Sequence, residues 1–357
     1  QWGGCMWPLI KDLLRRWILP LPGISRLYGA WSYNRRLERE KRIYDGCMNV
    51  HELPAIFHYW SNTHLAPKKF HRFGITDPEQ FYQLYCEKFH QQHPQATMQL
   101  LSIGSGNCDL EARLARKLVD NGITAFTLEC LDLNDTMLAR GREHAQSLGV
   151  ADHILTTSAD FNHWQPTATY DVIIANQCLH HVQDLEQLFA LIKSCLNPAG
   201  YFLTSDMIGR NGHLRWPEAL KLVQEFWQEL PDSYRYNRML RRKEKKYINH
   251  DCSTHSFEGI RAQDILPLLI EHFHFELFVP FSNIVMVFID RPFGHNFNAE
   301  AVWDRDFIDR VEARDEAGIL SGELSPTQMM AVLRTVPVET QLLDPRLTPQ
   351  ACVRVPG

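Results

Sequence analysis

Four short stretches carry side chains able to hold a nucleoside and move a proton. They are Ile103-Gly104-Ser105-Gly106-Asn-Cys-Asp109, Leu131-Asp132-Leu133-Asn134, Ala159-Asp160-Phe161 and Ala175-Asn176-Gln-Cys-Leu-His180-His181-Val182. Glycine at 104 and 106 lets the backbone pass close under a ligand, where a Cβ would collide. Asp132 can accept hydrogen bonds from ribose hydroxyls, and Asp160 with the Phe161 ring can meet a base. A dinucleotide fingerprint wants a third glycine at position 109, where this chain has Asp109. A carboxylate at the helix N-terminus repels a pyrophosphate, so a nucleoside ligand without phosphates suits the turn better than NAD(P). Imidazole is the side chain whose intrinsic chemistry suits a general base at neutral pH, which makes His181 a candidate. Plainer readings are a tight turn for the glycines, a helix cap for Asp132, a surface acid for Asp160 and a packed ring for His181.

The elements that must position these residues alternate. Apolar strands are expected at 98–102, 126–133, 154–158, 170–178 and 201–207. Helices are expected from Asp109 (Leu110, Leu114 and Leu118 on one face, Gly122 as the stop), over 135–148 and over 185–196. Repeated βα units imply a doubly wound α/β fold with a mostly parallel sheet. Residues 210–264 interrupt the rhythm with a helix at 216–230 and the basic run Arg241 to Lys246. A helix over 262–272 precedes strands at 274–281 and 284–290, and the Ser282-Asn283 link reads as an antiparallel hairpin. A charged helix over 304–320, a second short helix and a proline-containing tail complete the chain.

Taken together, residues 98–208 resemble the class I S-adenosylmethionine-dependent methyltransferases. The glycine loop matches Gly104-Ser105-Gly106, the ribose-binding acid matches Asp132 in Asp132-Leu-Asn-Asp-Thr-Met137-Leu138, and the adenine-contacting acid matches Asp160. The ending of the family's fourth strand matches Leu179-His-His-Val-Gln-Asp184. Ser102 and Cys108 stand where the family often has an acid and a third glycine. The resemblance implies a seven-stranded sheet with an antiparallel last strand. It also implies S-adenosylmethionine as cofactor, held by Gly104, Ser105, Gly106, Asp132, Leu133, Asp160, Phe161 and Asn176. His181 is the candidate base, at the strand end where the transferred methyl should lie.

The expected organisation is a helical cap over 1–94, a methyltransferase core over 95–293 containing the 210–264 insertion, and a helical extension over 294–357. The caps should enclose the acceptor, with His58, Tyr59, Trp60, Tyr236 and His255 as substrate candidates. A small-molecule, lipid or glycan acceptor is expected, since a net charge of −5 and a pI near 6.4 offer no basic footprint for nucleic acid. A catalytically silent binding module, an RNA methyltransferase and an NAD(P)-dependent oxidoreductase are the alternatives.

No metal is expected: prolines and Gly74 break any helix that could align His51, His58, His64 and His71. Nine scattered cysteines without a CxxC pair suit reduced thiols and a cytoplasmic setting. No apolar run is long enough to span a bilayer. Residues 7–19, with two tryptophans and paired arginines, suit either a peripheral membrane contact or a helix packed on the domain.

Overall fold

The structure is a computed structural model that describes residues 33–39, 41–42, 52–161, 163–254 and 256–354. The expected 7–19 helix and His255 lie outside the described residues.

The first strand of the sheet in chain order is β1 (Met98–Ile103), an apolar run buried along nearly all its length, as a parallel strand covered on both faces must be. It pairs in parallel with β2 (Phe126–Asp132) on one side and β4 (Tyr170–Asn176) on the other. β3 (Ile154–Ser158) extends the first side and β5 (Leu196–Met207) the second. The chain thus builds outward from β1 in one direction and then returns to build in the other. Its topological switch point lies between β1 and β4, and in open α/β sheets ligands bind at the carboxyl ends of such strands.

The helices follow the apolar periodicity. α1 (Ala55–Trp60) lies in the N-terminal segment, and α2 (Pro78–Gln92) starts on Asp77, whose side chain accepts from the Glu79 and Gln80 amides. α3 (Asp109–Asp120), α4 (Asp135–Ser147) and α5 (Leu185–Cys195) make the crossovers. Asn134 caps α4 by accepting from the Thr136 and Met137 amides, which leaves Asp132 available for other partners. α6 (Pro217–Glu229) lies in the insertion, beside a small antiparallel ladder of β6 (Tyr236–Asn237) and β7 (Arg242–Lys243). α7 (Ala262–His272) leads into β8 (His274–Phe281).

The far edge of the sheet differs from expectation. Residues 284–290 form no strand; Met286–Ile289 is a single helical turn. The buried Asp315 carboxylate accepts from the Asn283 (2.7 Å) and Val285 (3.1 Å) amides and so holds this backbone in its turn. The antiparallel partner is β9 (Gln328–Arg334), which arrives only after the long helix α8 (Val302–Ser321) and lies between β5 and β8, antiparallel to both. A two-residue edge strand, β10 (Gln341–Leu342), pairs in parallel with β8. The sheet therefore has eight strands, in the order β10-β8-β9-β5-β4-β1-β2-β3. The segment expected as a helical extension supplies an interior strand.

α8 also fastens the N-terminal segment to the body. Three acids at helical spacing reach it: Asp309 takes the Tyr59 hydroxyl (3.0 Å) and His64 (2.6 Å), Glu312 the Trp60 indole N–H (2.7 Å), and Glu316 the Lys69 ammonium (3.0 Å).

Candidate functional site

A cavity of about 470 Å3 opens at the carboxyl ends of β1 and β4, within the usual range of ligand pockets. Its floor begins with the glycine turn. Gly104 and Gly106 have φ of 68° and 55°, the left-handed region that glycine enters without steric cost. A Cβ on Gly104 would lie 2.6 Å from the Cys178 Cβ. The Gly104 and Ser105 amides both donate to the Leu131 carbonyl, at 2.8 and 3.2 Å, so the turn is stitched to the end of β2.

That stitch brings Asp132 under the turn. Its two carboxylate oxygens accept from the Gly106 and Asn134 amides, each at 2.9 Å. Burial raises its pKa above the ordinary carboxylate value, against the lowering effect of these amides. Asp160 takes the Tyr33 hydroxyl at 2.5 Å, and the Tyr33 ring packs on Phe257. Asn176 is fixed from beneath by the buried Tyr82 hydroxyl (2.9 Å). All eight residues expected at the cofactor line this one cavity: Gly104, Ser105, Gly106, Asp132, Leu133, Asp160, Phe161 and Asn176.

Under the turn, Ser102 donates to Glu111 of α3 (2.6 Å). Burial pushes the Glu111 carboxyl up to about 7, with the Ser102 hydroxyl opposing the shift.

His181 lines the cavity, with its Nε2 3.5 Å from a Glu258 carboxylate oxygen. Its neighbour His180 is more deeply set. Its Nδ1 lies 2.7 Å from the wholly buried Asp206, whose other oxygen accepts from the Cys178 and Leu179 amides. Burial acts to lower the His180 pKa, but Asp206 and then Glu258 carry it up to about 10. Glu258 also meets His213 at 2.7 Å. Burial acts to raise the Glu258 pKa, yet its histidine partners hold it well below the usual value. His213 is lowered, chiefly by burial.

Opposite these polar groups the wall is apolar: Phe57, Trp60, Leu65, Phe70, Phe281 and Met330. Of the substrate candidates, Trp60 belongs to this wall. His58 is exposed, Tyr59 is turned to Asp309 on α8, and Tyr236 is 41% exposed on the small ladder. These three do not line the cavity.

A family described as methyltransferase domain matches residues 77–250, spanning β1 to β5, the glycine turn, Asp132, Asp160 and both histidines. That match covers just under half of the chain and agrees with the resemblance of residues 98–208 to the class I S-adenosylmethionine-dependent methyltransferases. A curated relative, the ubiquinone/menaquinone biosynthesis C-methyltransferase UbiE of Enterobacter sp. (strain 638), is 30% identical over 105 residues, which are 29% of this chain and 40% of the relative's length. Two solved structures are similar more loosely. A geranyl diphosphate methyltransferase with GPP and sinefungin is 12% identical over 72% of this chain and 77% of its own (TM-score 0.41). An O-methyltransferase from a trans-AT PKS multienzyme of Brevibacillus brevis, with S-adenosyl-L-homocysteine, is 13% identical over 77% of this chain and 75% of its own (TM-score 0.42).

The methyltransferase-domain match implies S-adenosylmethionine as the cofactor. The residues present fit it: a glycine turn that a Cβ would fill, a half-buried acid beneath it, and no need for phosphate-binding groups. Sequence reasoning missed Glu258, His213 and Asp206. Glu258 and His213 lie in the insertion without a motif around them, and only the His180-His181 pair hinted that charge would be needed there.

Proposed function

We propose that this methyltransferase acts on a small-molecule or lipid acceptor with an apolar body, and that the cavity holds cofactor and acceptor together. One observation carries the reading: the glycine turn with Asp132, the His181–Glu258 pair and the aromatic wall of Phe57, Trp60 and Phe70 share a single enclosure. That wall suits an apolar acceptor better than a glycan.

S-adenosylmethionine brings a methyl group already activated on a cationic sulfur, so alignment and exclusion of water are the protein's main tasks. In this reading Gly104, Ser105, Gly106, Asp132 and Leu133 hold the nucleoside and the methionine end. Asp160 and Phe161 meet the adenine, and Asn176 borders the transferred methyl. His181 takes the proton of an acceptor hydroxyl, with Glu258 orienting its ring. Trp60 bounds the acceptor side, held in place by Glu312.

The test is incubation of the full chain with methyl-labelled S-adenosylmethionine and extract separated into lipid, aqueous and RNA fractions. Label in an organic-soluble product is the expected result. Label confined to RNA or to a polar sugar would overturn the acceptor class, and cofactor binding in calorimetry without any product would favour a silent binding module. With the acceptor in hand, His181→Ala should lower kcat by about 100-fold, the scale of general-base catalysis, with cofactor affinity unchanged. Near-normal turnover would remove His181 as base.

A further inference from the structure

Glu258 is the meeting point of three separate chain segments. His180 sits on the turn Leu179–His181, His213 on the turn Asn211–His213, and Glu258 in the loop between them and α7. Backbone hydrogen bonds tie these segments directly: Ile260 N–H to the His180 carbonyl (3.1 Å) and Gly212 N–H to the Gly259 carbonyl (2.8 Å). His213 has φ of 57°, a left-handed conformation without glycine's freedom, and Gly212 and Gly259 are left-handed beside it. Such strain persists where the surroundings over-determine it, and it clusters at functional sites. Gly259 approaches so closely that a Cβ would lie 2.9 Å from the His213 ring.

The groups so assembled are two imidazole nitrogens and one carboxylate oxygen. Their ligand atoms lie within 4.8 Å of one another, with Glu258 Oε1 at 2.7 Å from His213 Nε2 and 3.5 Å from His180 Nε2. Adjacent ligands of a tetrahedral zinc ion, bound at about 2.0–2.1 Å, stand about 3.3 Å apart, so small side-chain shifts would close the set on one ion. The other face of His180 adds an independent observation. Asp206 holds its Nδ1 at 2.7 Å and is itself fixed by three backbone amides. A carboxylate on the far nitrogen is the usual way to set the tautomer and raise the basicity of a metal-binding histidine. With Nδ1–H donating to Asp206, an unprotonated Nε2 of His180 would face the Glu258 carboxylate as a second acceptor, a pair that either a metal cation or a proton between them satisfies.

We infer that His180, His213 and Glu258 form a binding site for a divalent cation of the zinc class, with Asp206 as its supporting carboxylate and a fourth position open to the cavity. Two nitrogens and one oxygen suit zinc or cobalt, whereas magnesium and calcium prefer all-oxygen shells. His180 and Glu258 both line the cavity, so an acceptor oxygen can take the open position, where the cation lowers its pKa. That use rests on the methyl-transfer reading; cation binding does not. The rival is a protonated His180 held between Asp206 and Glu258 with no metal at all.

The experiment strips the full-length protein with a chelator, then titrates it with Co2+ alone and follows the visible absorption of the bound ion. One equivalent should bind and be displaced by Zn2+, without cofactor or acceptor. Glu258→Gln, which keeps size and shape, and His213→Ala should each weaken Co2+ by at least 100-fold while S-adenosylmethionine binding in calorimetry shows that the variant is folded. Asp206→Asn should weaken it by 10–100-fold, the range for a supporting carboxylate. A protein that binds S-adenosylmethionine but takes up no Co2+ by about 1 mM overturns the site and leaves the protonated pair. Uptake unaffected by Glu258→Gln overturns it equally. A chain that binds Co2+ yet methylates nothing keeps the site and removes the proposed function.

Discussion

At the scale of single residues, three acids separate binding from stability: Asp132 under the glycine turn, and the buried Glu111 and Glu312. Asp132 accepts two backbone amides at 2.9 Å, and each oxygen has a further lone pair for a ribose hydroxyl. Asp132→Asn replaces one oxygen with an amino group that must face a backbone N–H or the ribose. A hydrogen bond to a charged group contributes about 1.5–3 kcal/mol, so S-adenosylmethionine affinity should fall by about 10–100-fold in calorimetry. Unchanged affinity would remove Asp132 from the cofactor site. Glu111 and Glu312 give a stability effect instead. Burial pushes each carboxyl up to about 7, while the unfolded chain titrates at about 4.5. Between those values the native state keeps a proton that the unfolded state has released. Stability is therefore full below about pH 4.5, falls as pH rises to about 7, and is level above, by at most about 3 kcal/mol per group. Glu111→Gln and Glu312→Gln should stabilise the protein at pH 8 and change it little at pH 4.5 in urea melts. Equal effects at both pH values would show that these acids are ionised in the native state.

At the scale of elements, the sheet was legible where each strand is buried on both faces and followed by a helix. β1, β2, β4 and β5 announce themselves as apolar runs because a parallel strand with helices above and below has no wet face to alternate with, whereas β3, at the edge of the sheet, has no buried residue and leaves Leu155 exposed. The same rule explains the failure at 284–290. An apolar run of that length cannot be told from a buried helical turn by periodicity; the choice is made by Asp315, distant in sequence, which binds the Asn283 and Val285 amides. β9 was missed because Gln328–Arg334 stands alone after a long helix, without a turn or partner strand beside it in the chain. In the candidate site, residues within motifs were legible, and Glu258 and His213 were not, because tertiary stitching alone brings them to His180. The contact between the glycine turn and α4 can be tested as a pair. Cys108 is left-handed at φ 53°, and a Cβ on Gly141 of α4 would lie 2.6 Å from its sulfur. Gly141→Ala should therefore destabilise by about 1–3 kcal/mol, although alanine favours helix. Cys108→Gly removes the obstructing sulfur and relieves the left-handed strain. The double variant should recover at least about 0.5 kcal/mol of that loss in denaturant melts; simple additivity would show that the two residues do not meet.

At the scale of the whole molecule, the segments on either side of the core are structural partners. α8 grips the N-terminal segment through Asp309, Glu312 and Glu316, and the strand that follows it lies between β5 and β8. A chain cut at residue 293, where the sequence suggests the core should end, loses both. β5 and β8 would each present an unpaired backbone edge, and Phe202, Leu203, Phe278 and Val279, all fully buried or nearly so, would lose the apolar neighbours Met330, Ala331 and Val332 that β9 places between them. Exposed apolar edges pair with other chains, so the cut chain should aggregate and bind no S-adenosylmethionine. A chain cut after residue 334, which keeps β9 and loses the two-residue edge strand β10, should stay soluble and retain cofactor binding. Light scattering and calorimetry on the two truncations distinguish this outcome from an autonomous 95–293 core, for which the first truncation would bind cofactor as well as the second. The site at the β1–β4 switch point would then depend on residues 328–334 that never touch the glycine turn: they keep the sheet continuous from β5 to β8, and with it the apolar wall that Phe281 and Met330 contribute.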